Sequence, residues 1–276
     1  NDAQSVADLF DLKREGFFYT RLGSPTVDCF EKKVAALEGG VMAVGTSSGQ
    51  NANALSIMNI ARCGDHIVAV SSLYGGTVSL FSNTLKKTAE IEAAIRPGTK
   101  ALFAEMLANP ALIVLDVEKF ARVAHKHGIP LIVDNTFSTP YLCRPFDFGA
   151  DIVTHSTTKY LDGHATSVGG MIVEKGGFDW RNGKFPEFVD PDESYHGTVY
   201  TRDFPAAPYS VKLRVQWIRD LGSGMAPFNA FLSMMGAETL HVRMDRHCSN
   251  ALTLAKHLQQ HPKVGWVNYP GLPDNR

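Results

Sequence analysis

Short runs of β-branched and aliphatic residues alternate along the chain with stretches in which apolar side chains recur every three or four positions. This alternation predicts an α/β domain with a largely parallel sheet. Ser24 and Pro25 form an N-cap and first-turn pair for a helix on which Val27, Phe30, Val34 and Leu37 share a face, closed by Gly39 and Gly40. A second helix carries Ala52, Leu55, Met58 and Ala61. A third starts at Asp116, buries Val117, Phe120, Ala121 and Ala124, and stops at Gly128. Strands are expected over residues 66–70, 99–104, 130–134, 151–154 and 170–173.

Three stretches depart from that rhythm. Residues 178–209 are rich in Pro, Gly, Asp and aromatics without periodicity, which predicts a long, ordered surface excursion near a site. Residues 228–261 are helical throughout and lead toward another domain. The helix-like stretch 77–87 runs almost directly into a second, 89–95, where a crossover unit needs a strand and its loops, so a dozen or more residues are expected to be missing there.

Charge and cysteines narrow the function classes. Twenty-seven Lys and Arg against 28 Asp and Glu leave a net charge of −1, without the cationic surplus that nucleic acid or an acidic membrane demands. The four cysteines, Cys29, Cys63, Cys143 and Cys248, are far apart and lack CxxC spacing, which disfavours a disulfide scaffold or a zinc ribbon and fits a reducing cytoplasm. His257 and His261 stand at i, i+4 with no third ligand in reach of the pattern, and His125 and His127 suit a helix C-terminus, so no metal is expected. The pairs Lys32-Lys33 and Lys86-Lys87 read as solvated faces.

Candidate chemistry gathers at strand ends. Lys159, in His155-Ser156-Thr157-Thr158-Lys159-Tyr160, lies just past the 151–154 strand, where parallel sheets hold ligands. A lone lysine is ordinarily a solvated surface group, but Ser156 and Thr158 add hydroxyl donors suited to a phosphate, and a deprotonated amine can form a Schiff base. Asp134 ends the 130–134 strand, 25 positions before Lys159. With Asn135 it could simply make a turn, or its carboxylate could hold the protonated ring nitrogen of pyridoxal 5′-phosphate (PLP). Ser48, Gly49 and Gln50 enter a helix, as either a plain cap or a phosphate cup of backbone N–H groups. Tyr74 follows the 66–70 strand, either packing or stacking on a planar ligand.

Together these segments resemble the cystathionine γ-synthase, or Cys/Met-metabolism, family of PLP enzymes. The resemblance rests on Tyr19-Thr20-Arg21-Leu22-Gly23-Ser24-Pro25-Thr26, Ser47-Ser48-Gly49-Gln50, Ser72-Leu73-Tyr74-Gly75-Gly76, Val133-Asp134-Asn135-Thr136 and His155-Ser156-Thr157-Thr158-Lys159-Tyr160. It implies a fold type I PLP-dependent transferase: a mostly parallel sheet with helices on both faces, plus the start of a smaller C-terminal domain. The implied divisions are an arm over 1–25 that contacts a neighbouring subunit, a cofactor domain over 26–227 and the further domain from 228 to 276. Lys159 would carry the cofactor and shuttle protons with an amine tuned by burial, Asp134 would pair with the ring nitrogen, and Tyr74 would stack on the ring and assist proton transfer. Ser48, Gly49, Gln50, Ser156 and Thr158 would hold the phosphate, and Asn109 would sit near the phenolic oxygen. Tyr19 and Arg21 would reach a neighbour's phosphate, which makes a homo-oligomer, a tetramer built from dimers with shared sites, part of the expectation.

The run at Tyr141 to Pro145 and the 178–204 segment resemble the sulfhydrylase branch, which implies γ-replacement on O-acetylhomoserine by sulfide or a thiol, giving homocysteine or methionine and acetate. The rival family activities are methionine γ-lyase and cystathionine γ-synthase. A reading of another class is a noncatalytic PLP-binding module, because the family's carboxylate-binding arginine belongs to a C-terminal domain, Arg276 does not match it, and the start at Asn1 likewise suggests an incomplete chain.

Overall fold

The computed structural model describes residues 2–14, 16–80 and 94–273. The expected break after Lys87 falls on residues 81–93, and Arg276 on 274–276, both outside the described residues.

Six strands form one sheet: β1 Met42–Thr46, β2 His66–Ala69, β3 Thr99–Glu105, β4 Leu131–Asp134, β5 Ile152–Ser156 and β6 Gly170–Glu174, in the order β1-β6-β5-β4-β3-β2. β2 through β5 are mutually parallel, as the alternation of strands and helices predicts. β6 runs antiparallel to both β5 and β1, which makes the sheet mixed. β1 was not among the expected strands, because Met-Ala-Val-Gly-Thr has a single β-branched residue in its interior and no alternation. Its Ala43 and Val44 are nevertheless buried, one on each face of the sheet.

The continuous apolar runs of the central strands follow from burial on both faces. Val44, Phe103, Ile132, Ile152 and Ile172 point to one side, and Ala43, Leu102, Leu131, Val133, Val153 and Val173 to the other. Helix α1 is Ala3–Phe10, α2 is Pro25–Glu38, α3 is Gly49–Met58, α4 is Gly75–Ser79 and α5 is Val117–Lys126. Ser24 Oγ accepts the Val27 N–H at the start of α2, and Gly39 ends it at φ 80°. Asp116 caps α5 in the same way. α3 covers the first face with Ala52 and Leu55; α2 and α5 cover the second with Val27, Phe30, Val34, Ala121 and Ala124. Further along come α6 Pro208–Leu213, α7 Pro227–Glu238 and α8 Leu240–Gln259. Ala230 and Ala237 of α7 join the α2 cluster.

The 178–209 segment corrects an expectation. It is a second covering layer of the first face, not a surface excursion near a site. Trp180, Phe185, Phe188, Tyr195, Tyr200 and Tyr209 are all buried there, with Trp180 stacked on Phe188 at 4.5 Å and on Tyr209 at 5.6 Å. Each fully buried aromatic contributes roughly 1.5–3 kcal/mol. The segment winds through helical pieces of three to six residues, too short to show a period, and so its core face is invisible to pattern reading.

Candidate active site

The parallel strands end along one edge of the sheet, and Glu105, Asp134 and Ser156 terminate β3, β4 and β5 there. A cavity of about 300 Å³ opens at that edge, lined by Ser48, Gly49, Gln50, Asn53, Tyr74, Glu105, Leu107, Asn109, Asp134, Thr136, Phe137, Ser156, Thr158 and Lys159. Its volume lies at the small end of the roughly 300–1,000 Å³ typical of ligand pockets. Nine of the eleven residues expected at the site line this one cavity. The other two, Tyr19 and Arg21, lie elsewhere and are exposed, with the Arg21 guanidinium 4.9 Å over the Tyr19 ring.

Asp134 makes only acceptor contacts. Its Oδ2 accepts from Asn53 Nδ2 at 2.9 Å, and its Oδ1 accepts from the Thr136 N–H at 3.0 Å and the Thr136 hydroxyl at 2.5 Å. Asn53, 4% exposed on the inner face of α3, is itself held by the Thr154 hydroxyl donating to its Oδ1 at 2.7 Å. Thr136 Oγ1 accepts the Ser156 N–H at 2.8 Å, which couples the end of β4 to the start of the lysine loop.

At the other end, Ser48 caps α3 by accepting the Asn51 N–H at 3.1 Å, and Ser48, Gly49 and Gln50 at this helix N-terminus line the cavity. A Cβ on Gly49 would come within 2.4 Å of the Ser156 Cβ, so only glycine lets the α3 N-terminus approach the strand end this closely. Gly170 plays the matching part on β6, where a Cβ would lie 2.2 Å from the Ser48 carbonyl oxygen. The Thr158 hydroxyl is tied to Gly169 through both its carbonyl oxygen and its N–H. Gln50 Nε2 donates to the Gly76 carbonyl at 3.1 Å, linking the cup to the Tyr74 loop.

Lys159 corrects a second expectation. It lines the cavity, but among the described residues its side chain is exposed rather than buried. Tyr74 is likewise 52% exposed and forms one wall. Sequence reasoning missed Asn53, Glu105, Leu107, Thr136 and Phe137. Asn53 and Glu105 carried a usable signal, since each is a polar residue on an otherwise apolar inward face; Leu107 and Phe137 had none. Glu105 is buried, and its carboxyl is pushed up to about 7 by desolvation, against the pull of its hydrogen bonds from Tyr74 and Asn109.

A carboxylate at one end, a glycine-lined helix N-terminus with hydroxyls at the other, and a lysine between open solvent and both suit a flat heteroaromatic ring bearing a phosphate. The donor set therefore fits PLP. Among the described residues no group of three or more His, Cys, Asp or Glu is placed to hold a metal ion.

Comparison with known proteins gives the same chemistry. The family model for Cys/Met metabolism PLP-dependent enzymes matches residues 2–276. The chain is 46% identical to an O-acetyl-L-homoserine sulfhydrylase of Leptospira meyeri, over all of this chain and 67% of that protein. It is 47% identical to a homocysteine synthase of Schizosaccharomyces pombe, over 98% of this chain and 67% of that protein. It thus spans about two thirds of the length of these curated relatives. Among solved structures, a Campylobacter jejuni protein described as an O-acetylhomoserine (thiol)-lyase, bearing N′-pyridoxyl-lysine-5′-monophosphate, superposes with a TM-score of 0.95 at 38% identity, over 99% of this chain and 72% of that one. Cystathionine γ-lyase from Lactobacillus plantarum gives 0.79 at 32% identity, over 95% and 64%.

Proposed function

Because the chain belongs to the Cys/Met-metabolism family of PLP-dependent enzymes, we propose that it catalyses γ-replacement on O-acetylhomoserine, exchanging acetate for sulfide or a thiol to yield homocysteine or methionine. The observation that carries this reading is the single cavity shared by Lys159, Asp134, Tyr74, Asn109 and the Ser48-Gly49-Gln50 cup, in a chain 46% identical to a sulfhydrylase.

When bound, PLP supplies an electron sink that acidifies the substrate's α- and β-carbons. Asp134, fixed by Asn53 and Thr136, keeps the ring nitrogen protonated. The N–H groups of Gly49 and Gln50 and the Ser156 hydroxyl would hold the phosphate, joined by the Thr158 hydroxyl once its proton turns from the Gly169 carbonyl toward the ligand. Lys159 Nζ would anchor the cofactor and, once the substrate's amine has displaced it, the freed amine would take the proton from the substrate's α-carbon and serve the later proton transfers. Tyr74, on the cavity wall, would pack against the bound cofactor, and its hydroxyl would be available to pass a proton to the departing acetate. Asn109 orients the phenolic oxygen. Sulfide then adds at the γ-carbon vacated by acetate, so the atoms of O-acetylhomoserine and hydrogen sulfide appear as homocysteine and acetic acid.

Tyr19 and Arg21 belong in this reading to the phosphate site of a neighbouring subunit. It therefore includes a homotetramer built from dimers with shared sites, and an arm over 1–25, a cofactor domain over 26–227 and a further domain beginning at 228. A cytoplasmic location goes with it, supported by the four free cysteines. No helix among the described residues is long and apolar enough to cross a membrane.

The test is product analysis of the PLP-loaded protein. O-acetylhomoserine plus sulfide should give homocysteine and acetate, and methionine alone should give little product. Preferential breakdown of methionine would overturn the reading in favour of a γ-lyase. PLP uptake with no spectral response to any of these substrates would favour a noncatalytic module.

A further inference from the structure

Glu105 is a carboxylate on the cavity wall to which the proposed function gives no part. It ends β3, in register with Asp134 at the end of β4, so two acidic side chains stand side by side on adjacent parallel strands. The two are held differently. Asp134 is gripped by side chains and one local N–H. Glu105 instead receives backbone donors from two separate loops: its Oε1 accepts the Tyr74 N–H at 2.6 Å, and its Oε2 accepts the Asn109 N–H at 3.2 Å. One loop leads from β2 into α4, the other leaves β3, and each carries a pocket residue.

A buried carboxylate is costly to keep, and a neutral side chain could fill the same space. Two oxygens that each accept an N–H from a different loop give it a geometric task. We propose that Glu105 is a positioning residue for the cofactor site, clamping the Tyr74 and Asn109 backbones so that ring and amide meet PLP from fixed directions. This rests on the proposed assignment of Tyr74 and Asn109 to the cofactor.

The clamp needs the carboxylate form, since a protonated carboxyl turns one of its oxygens into a donor facing an N–H. The titratable groups that share the cavity with it are Asp134 on β4, Tyr74 on the β2–α4 loop and Lys159 beyond β5. Burial and the Asp134 charge push Glu105 up to about 7, which puts its titration within reach of mild buffers. Glu105→Gln mimics the protonated state at every pH: its oxygen still accepts one N–H, and its amide confronts the other.

The experiment compares PLP dissociation constants for the wild-type chain and Glu105→Gln between pH 6 and pH 8.5, with folding of both checked by circular dichroism. Titrations common to both proteins, the cofactor phosphate among them, cancel in the ratio. The expected ratio is about tenfold weaker binding by the variant at pH 8.5, converging toward unity at pH 6. Glu105→Asp, one methylene shorter but still ionisable, should bind PLP more weakly than wild type and keep the pH dependence; it also serves if the Gln variant does not fold. A ratio within twofold at every pH, or one that stays tenfold at pH 6, overturns the clamp. Failure of the wild-type chain to take up PLP at all overturns the underlying site reading instead.

Discussion

Asp134 and Glu105 occupy equivalent places on neighbouring strands, yet their partners give them different duties. Asp134 takes three donors, including the 2.5 Å bond from the Thr136 hydroxyl, and offers nothing in return. Its replacement by Asn removes the charge and forces an NH₂ group against one of those donors. Asp134→Asn should therefore still take up PLP but turn over about 10²–10³-fold more slowly, a loss of the size seen when one preorganised electrostatic contact is deleted. Steady-state rates with the absorption spectrum alongside check this. Near-normal turnover would remove Asp134 from the ring nitrogen. At this scale the sequence was most legible where chemistry forces a residue type: Lys159 and Asp134 stood out by type and by place. Asn53 showed only as a polar residue on an apolar face, because no spacing along the chain encodes its contact from α3 to Asp134 on β4, and Thr136, two residues past Asp134, reads locally as an ordinary turn residue.

Elements carry the closeness that the site needs. The α3 N-terminus meets the end of β5 only because Gly49 has no side chain, the missing Cβ lying 2.4 Å from that of Ser156. Gly49→Ala must push the helix away or distort Ser156, at a cost of about 1–3 kcal/mol. Isothermal titration should show PLP affinity falling at least tenfold, with the far-ultraviolet spectrum unchanged; unaltered affinity would place the phosphate elsewhere. Helices and central strands were readable because their periods extend over several turns or pleats, as in α2 with Val27, Phe30 and Val34. The aromatic layer over 178–209 was not, since Phe185, Phe188, Tyr200 and Tyr209 sit in pieces of one turn or on their flanks, and burial there is decided by the sheet they land on. The direction of β6 was equally hidden, because a strand's pattern does not say which way its neighbours run.

Across the whole molecule, three buried ionisable groups set an unusual response to pH. Glu174, which accepts the Ser210 N–H at 2.8 Å near the start of α6, is raised by burial from 4.5 to about 7, as Glu105 is. The folded chain thus holds two protons that the unfolded chain has released, and their contribution to stability is lost as pH climbs from about 4.5 through 7. Lys212 acts oppositely. Its amine, donating to the Asn59 carbonyl at 2.9 Å, is lowered by burial to about 8, so the unfolded chain binds the extra proton and stability rises from about 8 to 10.5. Urea midpoints should pass through a minimum near pH 7–8, and Glu174→Gln should flatten the acidic side of it. A midpoint that rises steadily from pH 5 to 8 would contradict this. The central claim is that Lys159, one of the 27 basic residues, holds the cofactor at the meeting point of these strands. The most direct measurement is to load the protein with PLP, reduce it with borohydride and map the modified peptide by mass spectrometry. The account predicts one pyridoxyl-bearing lysine, Lys159, and loss of both label and visible band in Lys159→Ala; a label on another lysine, or a band that survives the substitution, would contradict it.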